Sequence, residues 1–97
     1  MTKAQRVIER IGAYQGRAFA IWEIVQDCGV SSSYVRRVLG VLRRLRLVRK
    51  LSTGLHWRVW CAGKSWPPDS AIAFEQFDIV YRFTRAEKAV KAKNVRR

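Results

Sequence analysis

Apolar side chains recur at three- and four-residue intervals in most of this chain and at alternate positions in one short part of it. The two periods separate helix from strand. In residues 3–14, Ala4, Val7, Ile8 and Ile11 share one face, with Tyr14 at its end, while Arg6, Glu9 and Arg10 share the other. This predicts a first helix, and Gly12 and Gly16 place its end near Tyr14 to Gly16. Arg17-Ala18-Phe19 is a short extended piece. Residues 20–28, AIWEIVQDC, predict a second helix with Ile21, Ile24, Val25 and Cys28 inward and Gly29 as its stop. After a tight turn at Val30-Ser31-Ser32, residues 31–46 carry a third stripe: Val35, Val38, Leu39, Leu42 and Leu45. Ser31 or Ser32 can cap this helix by accepting from a free first-turn N–H.

The period then falls to two. Leu47-Val48-Arg49-Lys50-Leu51 and Leu55-His56-Trp57-Arg58-Val59-Trp60 are β-prone runs separated by Ser52-Thr53-Gly54, which predicts a hairpin. Leu55, Trp57 and Val59 share the face expected to cover the helices; His56, Arg58 and Trp60 share the other. Residues 61–70 form a loop in which Pro67-Pro68 ends any pairing. Asp69 or Ser70 can cap a fourth helix over 70–92, with Ala73, Phe77, Val80, Tyr81 and Thr84 on one side. Phe77 to Phe83 alternates enough to pass for a strand, but the flanking AIAFEQ and TRAEKAVKAK are strong helix formers, so helix is preferred. The expected fold class is mainly α with a small β-hairpin, an α+β arrangement. Residues 1–65 form the domain, 66–92 a loop and C-terminal helix, and 93–97 a basic tail.

Composition sharpens this outline. The 97 residues suit one domain, and 48% hydrophobic content can bury a core. A formal net charge of +13 predicts long-range attraction to polyanions. The charge is uneven. Residues 1–30 carry four basic against three acidic side chains, residues 31–65 nine basic and none acidic, and residues 66–97 seven against four. The excess therefore belongs to the segment holding the third helix and the hairpin.

The outer face of the third helix carries Ser33, Arg36, Arg37, Gly40, Arg43 and Arg44 without an acidic residue. A helix that needed only solubility would mix signs, because opposite charges four residues apart stabilise it. Unrelieved self-repulsion is relieved by an anionic partner. Arginine pairs bidentately with guanine O6 and N7 or with phosphate. Ser32 and Ser33, beside free N–H groups, can help hold a phosphate. Arg36 and Arg37 occupy the middle of the face, with Gly40 permitting close approach, being simply tolerated, or making room for a neighbouring helix. Arg43 and Arg44 are placed for backbone contact. On the hairpin, Arg49, Lys50, His56 and Arg58 are the candidate nucleic-acid contacts. Trp22 and Trp57 read as core residues, whereas Trp60 and Trp66 are expected to cover the hairpin or a partner chain, with stacking on bases as the alternative if they are exposed.

The order helix, short extended piece, helix, tight turn, helix, hairpin resembles the winged helix-turn-helix family over residues 3–61. The stretch AFAIWEIVQDCGVSSSYVRRVLGVLRRLRLVRK with the following hairpin carries the resemblance. It implies a winged helix-turn-helix plus a C-terminal helix, with 31–46 as recognition helix in the major groove and 47–60 as wing on the backbone of double-stranded DNA. The chain departs from the family where a glycine often precedes the first wing strand, since Arg46-Leu47-Val48 stands there. This leaves open where the recognition helix ends. The implied role is a transcriptional regulator. The fourth helix, rich in Phe74, Phe77, Ile79, Tyr81 and Phe83, offers more apolar surface than one small domain easily covers, which predicts a homodimer through residues 70–90 with Phe74, Phe77 and Tyr81 in the contact. The alternatives are a sequence-independent architectural DNA-binding protein, a structured-RNA-binding ribosomal or ribonucleoprotein component, and a winged helix that binds an acidic protein.

Catalysis is not expected. The single histidine lies on the hairpin, and no paired carboxylates, phosphate-cradling glycine loop or nucleophile motif is present. Two cysteines and one histidine are too few for a structural zinc site, and no cofactor is implied. Cys28 and Cys61 read as reduced buried thiols, with a single bridge as the alternative. No apolar run reaches membrane-spanning length and the first residues do not form a secretory signal, which points to the cytoplasm and nucleoid.

Overall fold

A computed structural model describes the backbone of residues 2–51, 56–59 and 66–95, and side chains for residues 2–51, 57 and 66–83. The chain runs α1 (Lys3–Gly12), β1 (Ala18–Ala20), α2 (Ile21–Cys28), α3 (Ser32–Arg44), β2 (Val48–Lys50), β3 (His56–Val59) and α4 (Ser70–Val95). It is a mainly helical molecule with short strands.

Each helix begins and ends where its local chemistry dictates. Thr2 and Gln5 close α1 with a reciprocal capping box: Thr2 Oγ1 accepts from Gln5 N–H at 3.2 Å, and Gln5 Oε1 accepts from Thr2 N–H at 2.8 Å. Glu23 Oε2 accepts from Ala20 N–H at 2.7 Å and so secures the start of α2. Gly29, at φ 64°, ends α2 in the left-handed region that glycine enters without steric cost. Of the two serine candidates, Ser31 caps α3, its Oγ accepting from Tyr34 N–H at 3.2 Å. Asp69 begins α4, with Oδ1 accepting from Ala71 N–H at 2.9 Å. Residues 77–83 are helical within α4, as preferred, and the helix continues beyond the expected residue 92 to Val95.

The end of α3 explains the departure at Arg46. Leu47 N–H donates to the Leu42 carbonyl at 2.9 Å and Arg46 N–H to the Arg43 carbonyl at 3.0 Å. These are the two bonds of a Schellman cap, which requires a left-handed residue between them. Arg46 occupies that position at φ 60°. An L side chain there costs about 1–2 kcal/mol against glycine. The chain thus turns as a glycine would turn it, while keeping a cation at the junction of α3 and β2.

The strands form one antiparallel sheet in the order β1-β3-β2. The hairpin register pairs Val48 with Val59, Arg49 with Arg58 and Lys50 with Trp57. The extended piece at Ala18–Ala20 also joins it, pairing Phe19 with Trp57. The core lies where α1, α2 and α3 meet under this sheet. Val7, Ile8, Ile24, Val35, Leu39 and Leu42 have no exposed surface there. Phe19 and Trp57 close the sheet side of it. Val41, outside the expected α3 stripe, is buried as well, whereas Leu45 within the stripe is half-buried.

The fourth helix packs across α1 and α3. Ala73 and Phe77 are buried, and Phe74, Val80 and Tyr81 pack partly against the same core. The side chain of Thr84 lies outside the described residues. Gly12 serves this docking rather than stopping α1 by conformation. A Cβ there would collide with Ser70 Oγ and come within 2.7 Å of Trp66 Nε1. The Trp66 indole N–H donates to Ser70 Oγ at 3.1 Å, holding the loop against α1.

Candidate nucleic-acid interface

The fold gathers most of the expected contact residues on one side of α3 and its continuation into β2. Ser32, Ser33, Arg36, Arg37, Arg43 and Arg44 are all exposed on α3. Arg46, just past the helix end, and Arg49 and Lys50 on β2 are exposed too. The buried stripe of the same helix forces this display, because Val35, Val38, Leu39 and Leu42 commit the opposite side to the core. For His56 and Arg58 the backbone lies in β3; their side chains are outside the described residues. Trp60, Leu55 and Cys61 are outside them as well.

Electrostatics reinforces the geometry. Among the described residues, the two ion pairs join Arg10 to Asp27 at 2.7 Å and Arg82 to Asp78 at 3.0 Å. Neither includes a residue of α3. None of the α3 and β2 cations has an acidic partner within the described residues. The backbone register also pairs Arg49 with Arg58. The N-terminus of α3 adds partial positive charge from first-turn N–H groups without carbonyl partners. Gly40 sits exposed in this face, and a Cβ there would meet nothing within 4 Å. The glycine therefore makes no room for a neighbouring element among the described residues.

Two expectations need correction. Trp22 is not a core residue; it is 65% exposed. It lies at the second position of α2, off the stripe formed by Ile21, Ile24, Val25 and Cys28, so only its size suggested burial. Nor is the aromatic set of α4 free for a dimer contact. Phe77 is 2% exposed, and its ring stacks on Tyr81 with centroids 5.3 Å apart. Phe74 and Tyr81 likewise cover this chain's own core in part. Among the described residues of α4, the exposed large apolar side chains are Ile72, Ile79 and Phe83, of which Ile79 and Phe83 belong to the apolar set expected for the contact. Ile72 joins them by periodicity, since seven- and four-residue steps put the three on one line of the helix.

Cys28 is a free, buried thiol whose Sγ lies 3.7 Å from the Arg6 carbonyl oxygen. Burial pushes its pKa up, so it carries no activated thiolate. Among the described residues no group of three His, Cys, Asp or Glu side chains could hold a metal ion. No described helix is long and apolar enough to cross a membrane.

Comparison with known proteins adds no assignment: no protein-family model, curated protein or solved structure matches the chain.

Proposed function

We propose that this chain binds double-stranded DNA through the outer face of α3, with β2 and β3 alongside, in the manner of a winged helix-turn-helix, and that it acts as a transcriptional regulator. The observation that carries the reading is the exposed row Arg36, Arg37, Arg43 and Arg44, with no acidic partner among the described residues and backed by the buried Val35, Val38, Leu39 and Leu42. The order of the elements, with a tight turn between α2 and α3 and a hairpin after it, supports the same reading. In this arrangement α3 enters the major groove, Arg36 and Arg37 reach base edges, and Ser32, Ser33, Arg43 and Arg44 hold phosphates. Arg49 and Lys50 meet the flanking backbone.

A regulator of this kind reads paired half-sites as a dimer. The exposed Ile72, Ile79 and Phe83 on α4 support a homodimer contact there. The first half of α4 also carries more acids than bases, with Glu75 and Asp78 against Arg82. Two strongly basic chains can approach at that surface with little repulsion.

A salt titration tests the binding reading. If six to eight phosphates are neutralised, log affinity for duplex DNA should fall against log salt with a slope of roughly −5 to −7. A slope near zero would show that the basic face does not hold the backbone.

A further inference from the structure

We infer that the cavity beside Trp22 receives one unstacked nucleobase of the DNA held along α3, so that the chain prefers duplex carrying an unpaired nucleotide over continuous duplex. This rests on the DNA-binding reading above and adds a specific substrate feature to it.

The cavity, of about 250 Å³, is lined by Ala20, Ile21, Trp22, Val25, Ser32 and Arg36. Its chemistry is divided. The β1–α2 junction supplies apolar walls and the indole, while the first turns of α3 supply a hydroxyl and a guanidinium. Trp22 is 65% exposed, whereas the sheet tryptophan Trp57 is 7% exposed. The largest apolar side chain of α2 is thus presented to solvent at the edge of the basic face. Arg36 belongs to both the cavity and that face, so a ligand entering here and lying along α3 must combine a flat apolar group with an adjacent anion. A nucleotide has both. An apolar protein side chain would fill the walls and leave Arg36 and the α3 N-terminus without a counter-charge. The cavity is also smaller than the roughly 300–1,000 Å³ common for larger organic ligands, which suits one ring system.

Bases in continuous duplex are stacked and show the groove only their edges. A base can enter beside Trp22 only where it is unpaired, and unstacking is least costly at a bulge, mismatch or single-stranded end. Stacking on an aromatic side chain then contributes a sequence-tolerant gain.

The test compares three labelled DNAs by fluorescence anisotropy: a continuous duplex, the same duplex with a one-nucleotide bulge, and that bulge with an abasic site in place of the base. The parent chain should bind the bulged duplex about tenfold more tightly than the continuous one. The abasic bulge, equally flexible but without a base to stack, should lose that gain. Trp22→Ala should bind all three alike, near the parent's affinity for continuous duplex, and Trp22→Phe should keep part of the preference. Trp22 is exposed, so both variants should fold, which circular dichroism checks. Equal parent affinity for the bulged and continuous duplexes, or a preference that survives in Trp22→Ala or with the abasic bulge, overturns the inference and leaves duplex binding standing. Absence of binding to every DNA overturns the DNA-binding reading as well.

Discussion

Replacing Arg36 and Arg37 together with alanine should lower duplex-DNA affinity by about 2–4 kcal/mol, roughly 30- to 1,000-fold, at about 150 mM salt. The chain should stay folded. Both residues are exposed, neither has an acidic partner within the described residues, and the helix carrying them is secured by its buried stripe. Their removal even relieves repulsion within the row that ends with Arg43 and Arg44. Thermal melts should therefore change little while binding collapses, a separation that a structural role would not produce. The single variants should differ if one residue reads a base and the other a phosphate. Loss of a base contact relaxes preference at one position of the site, whereas loss of a phosphate contact weakens all sequences alike. Unchanged affinity in the double variant would remove α3 from the interface.

The second large effect concerns the fold. Phe77→Ala should destabilise the chain by about 3–5 kcal/mol, measured as a shift of the urea midpoint at constant slope. Phe77 is 2% exposed, stacks on Tyr81 at 5.3 Å and lies tilted against Phe74 at 6.4 Å. Its truncation would leave a cavity where α4 docks on α1 and α3, and small domains hold only about 5–15 kcal/mol in total. Phe74→Ala should cost less, because that ring is only half-buried. The loss should not depend on protein concentration, since the ring packs inside one chain. A cost below about 1 kcal/mol would mean that α4 is not seated on the core through this residue.

The elements proved legible wherever periodicity was sustained. Val7, Ile8 and Ile11 on α1 and the α3 stripe announced both helices and the faces they bury. The antiparallel pairing of β2 with β3 followed from alternation, while the turn expected at Ser52-Thr53-Gly54 lies outside the described residues. The pairing of Ala18–Ala20 with β3 did not, because three residues are too short for a period and the partner lies far along the chain. Trp22 was misplaced by weighing hydrophobicity above position, although the α2 stripe already excluded it. The aromatic residues of α4 raised a related difficulty. Both sides of that helix carry apolar residues, and sequence alone does not say that the Ala73 and Phe77 side meets the core while Ile72, Ile79 and Phe83 face out. Arg46 shows the reverse case: a missing glycine suggested a different helix end, yet the Schellman bonds form around a left-handed arginine. The basic face itself was visible in the sequence as a run of cations without acids, and only the fold could show that no described acid from another element reaches it.

Binding to three random pools at about 150 mM salt, with sequencing of the retained fraction, tests the central claim most directly. The pools are duplex DNA, single-stranded DNA and structured RNA. Retention of duplex DNA enriched in a palindromic motif is the predicted result, the palindrome reporting a dimer and the motif a regulator's site. Retention of RNA alone, with duplex DNA left unbound, would contradict it.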